Sequence, residues 1–190
     1  MDFFKTLSWS GAEWFSAGLT SSFPNLGSDE DIVSHPRMCN ADLKPGCKVF
    51  QVPSEDISKA SEVPISTDGL GPSEIPGALQ GQVLVFQHKG KFHAIDHQCP
   101  HSSYPLSNGT TFDIEDFGVV LSAGLTCPKH GWSFDLFTGT SDRGRYQLKM
   151  WDVQLREVKG ISPSLSTDQG VDASESTEKE VWVRRKPRIG

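Results

Sequence analysis

One short pattern occurs twice in this chain and constrains it more than anything else. Cys99-Pro100-His101 and Cys127-Pro128-Lys129-His130 each offer one thiol and one imidazole on what reads as a tight loop. Each follows a strand-like run, FHAID before the first and VVLSAGL before the second. Two β-loops that approach each other would bring two Cys and two His to one site. The prolines stiffen the loops by fixing φ and removing a backbone donor, and Gly131 is expected to allow close approach of backbone to the site. Whatever fold this chain adopts must place two separate loops face to face.

The rest of the chain agrees with a β scaffold. Lys48–Val52 is a short apolar-rich run ending at Pro53. QVLVFQ (82–87) and FHAID (92–96) flank HKGK, a hairpin signal with Gly90 in the turn. Gly118–Leu121 reads as a further strand. In Leu148–Leu155, Trp151, Val153 and Leu155 alternate with polar neighbours, the period of a half-buried strand. VWVR (181–184) reads as a last strand. No helix-period segment follows residue 45. The expected class is all-β, a small β-sandwich or barrel. Residues 1–45, with Trp9, Trp14, Phe15 and Phe23 among serines and glycines, read as an irregular N-terminal extension to a domain at 46–187, either packing its aromatics onto the domain surface or docking to a partner or membrane interface. Residues 53–80 read as a long loop, and 160–180, rich in Ser, Asp and Glu, as a mobile one.

Composition removes several classes of function. A net charge of −6 argues against nucleic acid as a partner. No apolar run approaches membrane-spanning length. The N-terminus, with Asp2 and the single base Lys5, fits neither a secretory signal nor a transit peptide. The expected location is therefore cytoplasmic, with the mitochondrial matrix as the other candidate. In a reducing compartment the four cysteines point to metal before disulfide, and Cys39 and Cys47 are expected as free thiols.

Three chemistries compete for the doubled loop. A cysteine nucleophile with a histidine base has no use for a duplicated pair. Structural zinc accepts Cys2His2, although its familiar spacing groups two cysteines in one knuckle and two histidines in the other. A [2Fe–2S] cluster with two thiolates on one iron and two imidazoles on the other gains directly from one Cys and one His per loop. The cluster is favoured, with zinc left beside it.

CPHSSYPLSNG (99–109) and CPKHGWSFDLFTG (127–139) closely resemble the two cluster-binding loops of Rieske proteins, in particular the ferredoxin type and the Rieske domains of nitrite reductases and ring-hydroxylating oxygenases. Pro105, Leu106, Gly109, Trp132, Phe134, Asp135, Thr138 and Gly139 match as well as the candidate ligands do. The resemblance covers about residues 46–187. It implies a Rieske-type sandwich with a two-loop subdomain and one [2Fe–2S] cluster, with Cys99 and Cys127 on the inner iron and His101 and His130 on the outer. High-potential respiratory relatives carry an extra cysteine in each loop, joined as a disulfide, and hydroxyl donors in the second loop. Here Tyr104, Lys129, Trp132 and Phe134 stand at those places. Fewer hydrogen bonds to sulfur lower the potential, so the low end of the Rieske span, about −150 mV, is expected.

The function implied is one-electron transfer, from a flavin- or NAD(P)H-dependent reductase to an oxygenase or other oxidoreductase. A stand-alone Rieske-type oxidoreductase acting on a small molecule, with its outer iron or a metal recruited by His88, His93 or His97, is the alternative. After His130 the sequence has no histidine, which leaves residues 131–190 without the two-histidine iron site of an oxygenase domain. The carrier reading is preferred over a self-sufficient enzyme. His88, beside a turn, is expected to be solvated, and FDIEDFG (112–118) to form an acidic surface loop. Arg143 and Arg145 are candidates for a charged rim facing a redox partner.

Overall fold

The computed structural model describes residues 14–27, 31–39, 41–65, 79–158 and 178–186. Its strands in chain order are β1 (Phe15–Leu19), β2 (Asn25–Leu26), β3 (Asp31–Ile32), β4 (Pro36–Cys39), β5 (Asp42–Pro45), β6 (Cys47–Gln51) and β7 (Ser61–Val63). They continue as β8 (Gln82–His88), β9 (Lys91–Asp96), β10 (Thr110–Asp116), β11 (Val119–Cys127), β12 (Trp132–Asp135), β13 (Trp151–Glu157) and β14 (Lys179–Arg185). Among the described residues the only helical pieces are three-residue 3-10 turns, so the chain is all-β as its pattern implies.

The sheets stack around β8. A five-stranded sheet runs β2-β8-β6-β7 with β9 also on β8, a four-stranded sheet runs β12-β11-β10-β3, and a three-stranded sheet runs β1-β14-β13. Leu84 and Phe86 point from β8 into one core with Leu106, Leu125, Phe134 and Leu148. Val83 and Val85 point the other way, into a second core with Phe15, Phe50, Trp151, Val181 and Val183. That double burial explains why VLVF (83–86) is an unbroken apolar run, since a strand covered on both faces has no polar side to show. Lys89 (φ 46°) and Gly90 (φ 80°) make the two-residue turn from β8 to β9, where two positive φ values match the twist of a hairpin.

Four expectations differ from this architecture. The 53–80 segment read as a long loop contains β7, which pairs antiparallel with β6. The segment read as an irregular extension contains β1, which pairs antiparallel with β14. Phe15 is buried there, its ring 5.3 Å from Phe50 and 6.4 Å from Trp151. The β14 edge is covered by β1, which brings Phe15 as an aromatic anchor into the core. FDIEDFG is a strand and hairpin turn rather than a loop, with Asp113 opposite Ala123 and Ile114 opposite Ser122. Of its three acids Glu115 and Asp116 are exposed, but the Asp113 side chain is only 6% exposed, its carboxylate engaged by both His88 (3.1 Å) and Lys89. His88 is accordingly 2% exposed rather than solvated. The segment expected to be mobile, 160–180, falls almost entirely outside the described residues.

Candidate metal centre

The two Cys-His loops lie at one end of the four-stranded sheet and are built alike. In the first, the Ser103 N–H donates to the Cys99 carbonyl (2.9 Å); in the second, the Gly131 N–H donates to the Cys127 carbonyl (3.0 Å). Each loop thus closes with a bond from the fourth residue after its cysteine. Each closing residue has positive φ, 52° at Ser103 and 67° at Gly131. Gly131 is therefore needed for its left-handed backbone and not for close approach, because a Cβ there would meet nothing within 4 Å. The same turn delivers His101 two residues after its cysteine and His130 three residues after its own.

The site has an inner and an outer half. Cys99 and Cys127 are buried (0% and 1% exposed) beneath Leu106, Leu125 and Phe134. The Cys127 thiol donates a hydrogen bond to the Cys99 sulfur. The hydrogen bond from Cys127 holds the Cys99 thiol down to about 5, with further help from Ser102. The same bond, and then burial, pushes Cys127 upward. A cation between the sulfurs would take the place of that proton, since the thiolate is the metal ligand. Ser102 Oγ stands 3.8 Å from Cys127 Sγ. A hydroxyl donor is thus present after all, contributed by the first loop and not by the second-loop positions from which relatives supply theirs.

In the outer half the His101 and His130 rings are 5.0 Å apart and inclined by 78°. His101 Nδ1 is buried and makes no hydrogen bond. A buried ring nitrogen without a partner is costly in water-excluded surroundings, and a metal would satisfy it. No group of three or more His, Cys, Asp or Glu side chains among the described residues is placed to hold one ion. The donors come as a sulfur pair and a nitrogen pair, which fits two irons with two protein ligands each better than one tetrahedral zinc.

Neighbouring groups fix the two halves. Trp132 stacks on His101 (4.2 Å between centroids, 19°), and Tyr146 meets the edges of both His101 (5.2 Å) and Trp132 (5.1 Å). Gly144 has φ 69°, and a Cβ on it would stand 2.7 Å from the Trp132 ring, so the 141–147 loop can lie against the indole only with glycine there. Arg143 donates to the Gly131 carbonyl (3.0 Å) and to Asp142, and its guanidinium lies 5.7 Å from the Trp132 centroid. Lys129 Nζ lies 5.6 Å from the Tyr104 centroid.

The other histidines are spoken for in different degrees. Both His97 nitrogens are used, Nδ1 with Gln82 Oε1 (2.8 Å) and Nε2 with Ser107 Oγ (2.9 Å). With the bond from Leu106 N–H to the His97 carbonyl, this pins the first loop to β8. Burial lowers the His97 pKa to about 4 and keeps its ring neutral. His93 stacks on Phe86 and is likewise lowered to about 4 by burial. Tyr146, Ser102 and Ser107 are the site neighbours that sequence reasoning missed. Nothing in TSDRGRYQL marks its tyrosine, and a serine beside a histidine is too common to stand out. Cys39 and Cys47 are free thiols as expected, Cys47 within the core.

Residues 53–151, just over half of the chain, match the family described as the Rieske [2Fe-2S] domain. Apoptosis-inducing factor 3 of Homo sapiens is 42% identical over 82 residues, 42% of this chain and 12% of that protein. A human Rieske domain-containing protein is 42% identical over 66 residues, 35% of this chain and 37% of its own length. The ferredoxin component of the alkene monooxygenase system of Xanthobacter autotrophicus is 36% identical over 58 residues, 30% of this chain and 41% of that component. The matched region thus spans well under half of each of these relatives.

Proposed function

This chain belongs to the Rieske [2Fe–2S] domain family, and on that premise we propose that it serves electron transfer with one such cluster, held by Cys99, His101, Cys127 and His130. Bound there, the group supplies reversible one-electron oxidation and reduction. Cys99 and Cys127 would hold the inner iron and His101 and His130 the outer. The observation that carries this assignment is the pairing itself, thiol against thiol and imidazole 5.0 Å from imidazole, across two loops with the same closing bond.

The surrounding residues divide the labour. Leu106, Leu125 and Phe134 exclude water from the sulfur side. Trp132 and Tyr146 cover His101, while His130 is exposed. An electron would therefore enter and leave through the His130 side, where a partner comes nearest. The route runs from a flavin- or NAD(P)H-dependent reductase to an oxygenase or other oxidoreductase. The likeness to a monooxygenase ferredoxin component supports this direction. A self-sufficient enzyme with a second metal is less well supported: both nitrogens of His97 are engaged and His88 Nε2 is held by Asp113, and although His88 Nδ1 and His93 Nε2 are buried without a partner, no group of three metal donors forms around them among the described residues.

The test is purification of the wild type and of Cys127→Ser and His130→Ala variants. The wild type should be red-brown, bleach on reduction, contain two irons per chain and give a Rieske-type paramagnetic signal. Each variant should lose that signal while remaining folded by circular dichroism. A colourless wild type containing one zinc would overturn the assignment. Turnover of a small substrate by the wild type with only an electron source would overturn the carrier role.

A further inference from the structure

We propose that the His130 end of the molecule is a docking face for an acidic protein surface on its redox partner, with Lys129, Arg143 and Arg145 as the recognising cations. The proposal rests on the carrier reading above. Overall the chain carries −6. The field at this end has the opposite sign. In the two loops (99–109 and 127–131) and the 141–147 segment packed on them, Lys129, Arg143 and Arg145 face a single acid, Asp142. All four are exposed.

The cations are placed by the same contacts that shape the site. Arg143 is tied to the carbonyl of Gly131, the residue after His130, at 3.0 Å, and lies over Trp132. Trp132 in turn stacks on His101. A guanidinium is thus held one ring away from an outer histidine. Lys129 adjoins His130 directly and lies over Tyr104. Asp142 pairs with Arg143 at 2.9 Å and accepts from the Ser133 N–H at 3.0 Å, so much of its charge is directed inward to the loop. Acidic residues gather elsewhere, Glu115 and Asp116 at the far tip of the β10–β11 hairpin among them.

At physiological salt a charge is felt over about 8 Å, so an approaching surface responds to the local patch rather than to the net charge of the chain. An acidic surface would be drawn to the loops with His130 foremost, and a basic one would be steered toward the acidic remainder. Such complementarity acts mainly on the association rate and on orientation. It favours the one orientation in which the electron path is shortest.

Stopped-flow oxidation of the dithionite-reduced holoprotein tests this with two probe ions, hexacyanoferrate(III) and hexaammineruthenium(III). Between about 100 mM and about 1 M salt, where the reach of a charge shrinks from about 10 Å to about 3 Å and the local patch decides the sign, the ferricyanide rate should fall severalfold and the ruthenium rate should rise. In Arg143→Glu/Arg145→Glu both trends should reverse. Arg145→Glu alone, which leaves the Arg143 contacts intact, should flatten them. Reduction of the oxidised protein by reduced flavodoxin, an acidic protein donor, should slow severalfold in both variants, and in Arg145→Glu, which leaves the contacts of Arg143 to Gly131 and Trp132 in place, the midpoint potential should stay close to that of the wild type. A wild-type ferricyanide rate that rises with salt, as the net charge alone would demand, overturns the proposal and leaves the carrier reading standing. So does a flavodoxin rate indifferent to both variants. A preparation without the visible absorption of a [2Fe–2S] centre overturns the carrier reading itself.

Discussion

Trp132 lies face to face on His101, their ring centroids 4.2 Å apart. The indole occupies a position where a hydroxyl donor would stand in high-potential relatives, and it acts by covering an imidazole. Reduction adds a negative charge, which water stabilises better than a packed ring does. Trp132→Ala should therefore raise the midpoint potential by roughly 20–60 mV, taking about 59 mV per tenfold change in the redox ratio. Trp132→Phe should stay near the wild type. Spectroelectrochemical titration checks both, and an unchanged potential in Trp132→Ala would leave the stack with a purely structural role.

Ser102 makes the complementary prediction. Its hydroxyl reaches toward Cys127 Sγ at 3.8 Å and also favours the thiolate of Cys99. A hydrogen bond worth about 1 kcal/mol in the reduced state corresponds to roughly 40 mV. Ser102→Ala should lower the potential by about that amount from a wild-type value near −150 mV. Ser102→Thr should restore it. A wild-type potential well above zero would mean that the missing second-loop hydroxyls and disulfide are compensated elsewhere.

His93 should make the fold acid-sensitive. Burial first, then the nearby His88 and Lys91, lower its pKa from 6.5 to about 4. Its folded-state pKa lies below the unfolded one, so the unfolded chain binds the extra proton as pH falls. Stability should be undiminished above about pH 6.5 and decline between there and about pH 4, by up to ~3 kcal/mol. Denaturant titrations of the wild type and His93→Gln across this range test it. The variant should show a shallower decline, and parallel curves would remove His93 as the cause.

Arg156 should prove to be a fastener of the first strand. Its guanidinium lies between Trp14 (4.8 Å) and Trp182 (4.4 Å), and Arg184 also reaches Trp14 (4.7 Å). Exposed cation–π contacts are worth about 0.5–1 kcal/mol each. Arg156→Ala should cost about 1–2 kcal/mol in chemical denaturation, and proteolysis should begin at the N-terminal strand. Arg156→Lys should recover part of the loss.

How much of this could be read in the sequence depends on whether the deciding contact is local. The turn from Cys to His is local, and both loops could be read from their residues. So could the β8–β9 hairpin, whose register follows from Lys89 and Gly90. The burial of His88 could not, because it depends on Asp113 arriving from β10, 25 residues on, with Lys89 sharing the carboxylate. The place of Phe15–Leu19 could not either, since its partner β14 lies more than 160 residues away and a five-residue strand carries little signal of its own. At the site, residue types alone suggested what Trp132 lacks, a hydroxyl, and only the geometry shows what it supplies.

The pairing of β1 with β14 also orders events in time. Every strand of the four-stranded sheet, from Asp31 to Asp135, leaves the ribosome before Lys179 does, whereas the three-stranded sheet needs Phe15 and Arg185 together. The loops bearing Cys99, His101, Cys127 and His130 are thus synthesised while one face of β8 still lacks the strands that will cover it. A nascent chain at that stage presents its thiols and imidazoles on a scaffold closed on one face only.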